Sequence, residues 1–144
     1  MSNIDIIHKF EKAVVGVLNI DGWELEWSGG NFEHYDAIGK TWKGIECVIE
    51  MKFRNEYYQN KLMEKYKFDK LMEMPDDIAK IYFVADPKGN YMFWLNAIKM
   101  EKLKTQKIWC PKTSFWNSKK VEKECYLIPE ELAHKVNLNT EFSE

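Results

Sequence analysis

Cysteine and histidine are scarce in this sequence, three of each among 144 residues. Cys47, Cys110 and Cys125 are widely spaced and odd in number, which excludes a disulfide framework and the paired spacing of a zinc site. They read as reduced, structural thiols. His8, His34 and His134 form no H-E-x-x-H pattern, so a zinc protease is excluded as well. Seven glycines and four prolines are too few for a collagen-like or extended disordered chain. No apolar run approaches the roughly 18 residues of a membrane span, and the N-terminus lacks a basic stretch followed by an apolar one. A soluble, cytoplasmic protein without membrane contact is expected. Charge of one sign is also missing: 21 basic residues face 23 acidic ones, a net charge of −2, which excludes a uniformly cationic nucleic-acid coat. No linker, repeat or low-complexity stretch divides the chain, so a single domain over 1–144 is expected, large enough for a core without staples.

What is present is uneven. Residues 99–123 carry eight lysines against two glutamates, and residues 37–70 are also basic, while the two ends of the chain are acidic. Only folding could merge the two basic stretches into one face, and a charge run is as readily plain solvated surface.

The patterning alternates helix and strand. Residues 4–20 place Ile7, Val14 and Leu18 on one helical face, with Glu11 intruding on the same stripe. Glu11 either reaches solvent at the helix edge or faces an internal polar site. Residues 23–27 alternate as a half-buried strand, a second strand or irregular approach covers Phe32 to Ile38, and a turn over Gly39 to Gly44 follows. Residues 45–54 have the clearest period of two, with Ile45, Cys47, Ile49, Met51 and Phe53 on one face and Glu46, Val48, Glu50, Lys52 and Arg54 on the other. Residues 56–74 predict a helix ended by Pro75, with Lys61 and Lys65 as an i,i+4 cationic pair that gains a purpose if an anion sits above it. Lys80 to Ala85 and Tyr91 to Leu95 read as a hairpin. Residues 99–109 fit a helix, a strand or a loop, Val121 to Ile128 a late strand, and residues 129–133 a short helix opened by proline.

The chemistry concentrates on Asp36 and the Glu50-Met51-Lys52 triplet. A hairpin between them would return Glu50 toward Asp36. Two carboxylates and a backbone carbonyl such as that of Met51 make an oxygen-rich site suited to Mg²⁺. Such an ion could polarise a phosphate and activate water, while Lys52, about 6–7 Å along the strand from Glu50, orients the water or stabilises developing charge. No nucleophile is signalled, so phosphodiester hydrolysis fits better than peptide or ester hydrolysis.

Asp36, the strand pair, Glu50-x-Lys52 and the helical pattern after it resemble the PD-(D/E)xK nuclease superfamily, in particular small phage-type and Holliday-junction-resolvase-like members. Tyr35 stands where the nominal motif has proline. The resemblance covers Glu11 to about residue 95. It implies an α/β, restriction-endonuclease-like core with a mixed four-stranded sheet flanked by helices, and Mg²⁺- or Mn²⁺-dependent cleavage of DNA, with RNA left open. On this resemblance Asp36 and Glu50 are metal ligands, Lys52 is the catalytic lysine, and Glu11 is the first-helix acid that supports a metal-bound water. Lys61 or Lys65 matches the auxiliary polar position on the following helix, with Gln59 a weaker match, and Glu46 is either an accessory ligand or surface. The cell implied is a bacterium, infected by phage.

The basic stretch supplies Lys104, Lys107 and Lys112 as phosphate contacts, and Trp109, Phe115 and Trp116 there either pack or stack on bases. So short a chain leaves little room for a specificity domain, so a homodimer is expected to double the footprint. Two other readings stay open: a non-catalytic nucleic-acid-binding module on the same fold, and a small protein-interaction or inhibitor protein.

Overall fold

A computed structural model describes residues 3–30, 33–111 and 120–136. Helix α1 (Asn3–Ile20) opens the chain, followed by strands β1 (Glu24–Trp27), β2 (Ala37–Lys40) and β3 (Glu46–Phe53). Strand β4 (Asn60–Glu64) leads into helix α2 (Lys65–Met72), and β5 (Ala79–Asp86) turns back through β6 (Gly89–Trp94). After two short 3-10 turns come β7 (Thr105–Pro111), β8 (Lys120–Pro129) and β9 (His134–Val136).

A six-stranded sheet in the order β1-β2-β3-β5-β6-β9 forms the middle layer. Its β3–β5 pair is parallel and the others antiparallel, so the sheet is mixed, as expected, with β6 and β9 widening the anticipated four strands. Val14, Val15 and Leu18 of α1 cover one face, against Ala37, Cys47, Ile49, Met51, Ile81 and Phe83. The opposite face, with Val48, Tyr82, Val84 and Phe93, lies under Leu71 of α2 and under Met63, Tyr126 and Ile128 of a second, three-stranded sheet, β4-β8-β7. The alternation in β3 therefore holds, but its polar face is roofed rather than open to water.

The helix expected over 56–74 is half strand. Residues 60–64 pair with β8 from Asn60↔Pro129 to Glu64↔Cys125, and α2 begins only at Lys65. Helix-forming composition gives way here because Leu62 and Met63 alternate across a sheet that buries Met63, a tertiary gain that outweighs a few tenths of a kcal/mol per residue of propensity. The segment 99–109 resolves into a 3-10 turn and β7, and the short helix after Pro129 is a 3-10 turn over Glu130–Leu132. Among the described residues no helix is long and apolar enough to cross a membrane.

Candidate active site

A notch in the main sheet positions the site. Strand β2 pairs with β3 from Lys40↔Glu46 to Ala37↔Ile49 and then stops, so β3 from Glu50 onward has no strand partner on that side. Asp36 closes the ladder twice: its backbone N–H donates to Ile49 O at 2.8 Å, and its Oδ2 accepts the Met51 N–H at 2.8 Å. In a strand the N–H and C=O of one residue point the same way, so the Met51 carbonyl also faces the notch beside Asp36.

Glu11 enters from α1. It is buried among the apolar residues of its stripe, so of its two sequence readings the internal one is observed. Its Oε1 accepts the Trp27 indole N–H at 2.9 Å, and the Lys12 ammonium sits 4.3 Å above the Trp27 ring. Gly29 closes over this contact; a Cβ there would overlap Glu11 Oε1 and lie 2.8 Å from the indole nitrogen.

Glu50 lies on the roofed face of β3, and its Oε1 accepts from Lys67 Nζ at 3.1 Å. Burial raises its pKa to about 7; Lys67 opposes the shift, and Asp36 and Glu11 add to it. Glu11 is likewise raised to about 7, by burial and by Asp36, and burial also raises Asp36. The three acids thus feel one another although they arrive from α1, the start of β2 and the middle of β3. Lys52, on the same face as Glu50, has its pKa lowered by burial and by Lys67 and Arg54. Lys67 itself is held above its usual value: burial disfavours its charge, but Glu50 and Glu64 outweigh that.

Among the described residues no three His, Cys, Asp or Glu side chains close on one point as a ready metal cage. Glu11 is turned to Trp27 and Glu50 to Lys67. The donor chemistry still fits a hard divalent cation, since carboxylate oxygens of Asp36 and Glu50 and the Met51 carbonyl are what Mg²⁺ takes, with water completing its shell. Raised pKa values on neighbouring buried acids mark negative charge that a cation would relieve.

Other expected residues are dispersed. Lys61 is not on a ligand-facing helix: it is buried on β4, with Nζ 2.8 Å from Asp86 Oδ2, 3.5 Å from Glu130 Oε2, and 4.4 and 4.1 Å from the Tyr57 and Tyr91 ring centres. The cause is the change from helix to strand, which turns Lys61 inward and separates it from Lys65. Lys65 is half-buried at the start of α2, and Gln59 is exposed before β4. Glu46 is exposed and opposite Lys40, two alternations away from Glu50. Lys104 and Lys107 are exposed at β7, as is Trp109. Lys112, Phe115 and Trp116 lie outside the described residues. The lysine that reaches Glu50 is Lys67, which the sequence pattern does not single out: it falls in the first turn of α2 only because the helix starts at Lys65 rather than at 56.

No family model and no curated protein matches the sequence. Among solved structures, the fold is similar to that of Hjc from Archaeoglobus fulgidus, a Holliday junction resolvase from an archaeal hyperthermophile, with a TM-score of 0.59 at 14% identity over 89% of each chain. At that identity the likeness speaks for architecture alone, an α/β, restriction-endonuclease-like fold with a mixed sheet flanked by helices.

Proposed function

We propose that the protein is a Mg²⁺- or Mn²⁺-dependent nuclease that cuts DNA, acting in the cytoplasm on branched or otherwise structured substrates. The observation that supports this reading is Asp36 closing the β2–β3 notch against the Met51 N–H, with Glu11 and Glu50 near enough to feel its charge and Lys52 one alternation along the strand from Glu50. A bound ion would supply Lewis-acid polarisation of the scissile phosphate and a lowered pKa for attacking water. Asp36 and Glu50, with the Met51 carbonyl, would hold it. Glu11, anchored by Trp27, accepts a proton from a water at the site, as its pKa near 7 suits. Lys52, half-buried and held below its usual pKa, presents a desolvated cation to charge developing on the phosphate. Lys67 orients the Glu50 carboxylate and opposes the rise that burial imposes on its pKa. Exposed Lys104 and Lys107 give phosphate contacts without a sequence code. The similarity to a junction resolvase favours branched DNA, and a homodimer would place two such sites across one junction.

The test compares wild type with Glu50→Ala and Lys52→Ala on labelled single-stranded, duplex, flap and four-way-junction DNA and on single-stranded RNA, with Mg²⁺, Mn²⁺ or EDTA. Metal-dependent cutting that both variants lose is the expected result. Wild-type protein that binds but cuts neither DNA nor RNA in any of these conditions would leave the binding-module reading in its place.

A further inference from the structure

We propose that the cavity between β3 and the second sheet is a phosphate-binding pocket whose principal ligand is Arg54. Its occupant is taken as a nucleic-acid phosphate because of the nuclease reading above; its affinity for phosphate as such does not depend on that reading. The cavity measures about 70 Å³ and is lined by Glu50, Lys52, Arg54, Glu64, Lys67 and Tyr82, among others. That is several times the roughly 10–15 Å³ a single water needs, so a small oxyanion is within range.

The charges favour an anion once the internal pairs are removed. Lys67 sits 3.1 Å from Glu50 and 3.7 Å from Glu64, and Lys123 lies 2.8 Å from Glu64, so both acids of the lining are already matched. Among the described residues neither Lys52 nor Arg54 forms an ion pair.

Arg54 is held from behind. Its backbone N–H donates to Ala85 O at 2.8 Å, and its Nη2 approaches Leu62 O at 3.5 Å. Its guanidinium also lies against the Tyr82 hydroxyl, but its Nε is buried with no acceptor among the described residues. A buried guanidinium donor left unmatched is costly, and an oxyanion is the partner for which its planar fork is shaped. Arg54 follows Lys52 by one alternation, about 6–7 Å along the chain. That is comparable with the spacing of adjacent phosphates on one nucleic-acid strand, so a phosphate at Arg54 would neighbour the one at Lys52.

The test is run in EDTA, so that no cutting intervenes, on wild type, Arg54→Gln, Arg54→Lys and the distant surface control Lys40→Gln. Titration calorimetry with inorganic phosphate is expected to show binding that Arg54→Gln weakens about tenfold or more, the scale of a charge-assisted hydrogen bond, with Arg54→Lys between and Lys40→Gln unchanged. Anisotropy with one oligonucleotide in 5′-phosphorylated and 5′-hydroxyl forms separates the sources. An equal loss for both forms assigns an internal phosphodiester, and a loss confined to the phosphorylated form assigns a strand end. No phosphate binding by wild type, or equal binding by folded Arg54→Gln with an unchanged melting transition, would overturn the pocket. Arg54-dependent phosphate binding in a protein that never cuts would sink the nuclease reading and leave the pocket standing.

Discussion

The Nζ of Lys67 lies 3.1 Å from Glu50 Oε1, tying α2 to the strand that carries the candidate centre. Burial alone would make Glu50 a poor carboxylate at neutral pH, and Lys67 is the cation that opposes this. Lys67→Gln is therefore expected to push the Glu50 pKa above its value near 7, moving the pH of half-maximal cutting up by about one unit. Lys67→Arg, which keeps the charge, should restore most of the wild-type profile. A pH–rate curve for the three proteins decides it, and an unmoved midpoint in Lys67→Gln would confine Lys67 to packing.

Asp36 has two separable jobs. Its Oδ2 accepts the Met51 N–H, and its charge raises Glu11 and Glu50. Asp36→Asn keeps an acceptor for the N–H and removes the charge. Its melting transition should stay close to wild type while cutting falls by about 10³-fold or more. The Glu11 and Glu50 carboxyl carbons, followed by NMR, should titrate at lower pH. Asp36→Ala loses the acceptor too and is expected to cost about 1–2 kcal/mol of stability by urea denaturation.

Period-two alternation made β3 readable, and with it Glu50, Lys52 and the neighbouring hairpin. The stripe on α1 made Glu11 conspicuous because a carboxylate among Ile7, Val14 and Leu18 needs a partner, and Trp27 is that partner. In residues 60–64 Lys, Met and Glu favour helix locally, whereas the observed strand depends on pairing with β8, more than fifty residues later. The same long-range pairing hid the roof over Glu50, the inward turn of Lys61 and the start of α2 that brings Lys67 to the acids. Local pattern carries no information about which distant strand will cover a polar face.

Lys61 shows the consequence for stability. With its side chain and that of Asp86 only 1% and 2% exposed, it holds β4 to the β5–β6 hairpin. Lys61→Met is expected to destabilise by about 3 kcal/mol or more, because Asp86 is left as a buried, unpaired carboxylate. The double variant with Asp86→Asn should regain part of this, since the amide oxygen can still accept from the Lys88 and Gly89 N–H groups. Chemical denaturation of the single and double variants provides the cycle. DNA affinity of the folded single variant should match wild type.

Gly29 is required by contact rather than by backbone freedom. A methyl group there collides with Glu11 Oε1 and crowds the Trp27 indole. Gly29→Ala is expected to break the Glu11–Trp27 hydrogen bond, shift the indole N–H resonance of Trp27, and cost about 1–3 kcal/mol. Cutting should fall even in protein shown to be folded, because Glu11 loses its anchor. An unshifted indole resonance with full activity would show that the loop after β1 moves aside freely.

Glu11 gives the clearest dependence on pH. Its folded-state pKa, near 7, lies above the ordinary 4.5, so the folded protein binds this proton more tightly than the unfolded chain does. The stability linked to Glu11 is then fully present below about pH 4.5 and is lost as the pH rises through 7. Glu11→Gln mimics the protonated form and keeps an acceptor for Trp27. Measured without metal, it should be more stable than wild type by on the order of 1–2 kcal/mol at pH 8, with the gap closing toward pH 5. Mg²⁺ should narrow the gap at pH 8 from the other side, because a nearby cation favours the ionised carboxylate and so stabilises wild type more than the variant. Thermal melts of both proteins at pH 5 and pH 8, with Mg²⁺ or EDTA, test the two effects together. A gap that is independent of both pH and metal would mean that Glu11 does not ionise toward the notch.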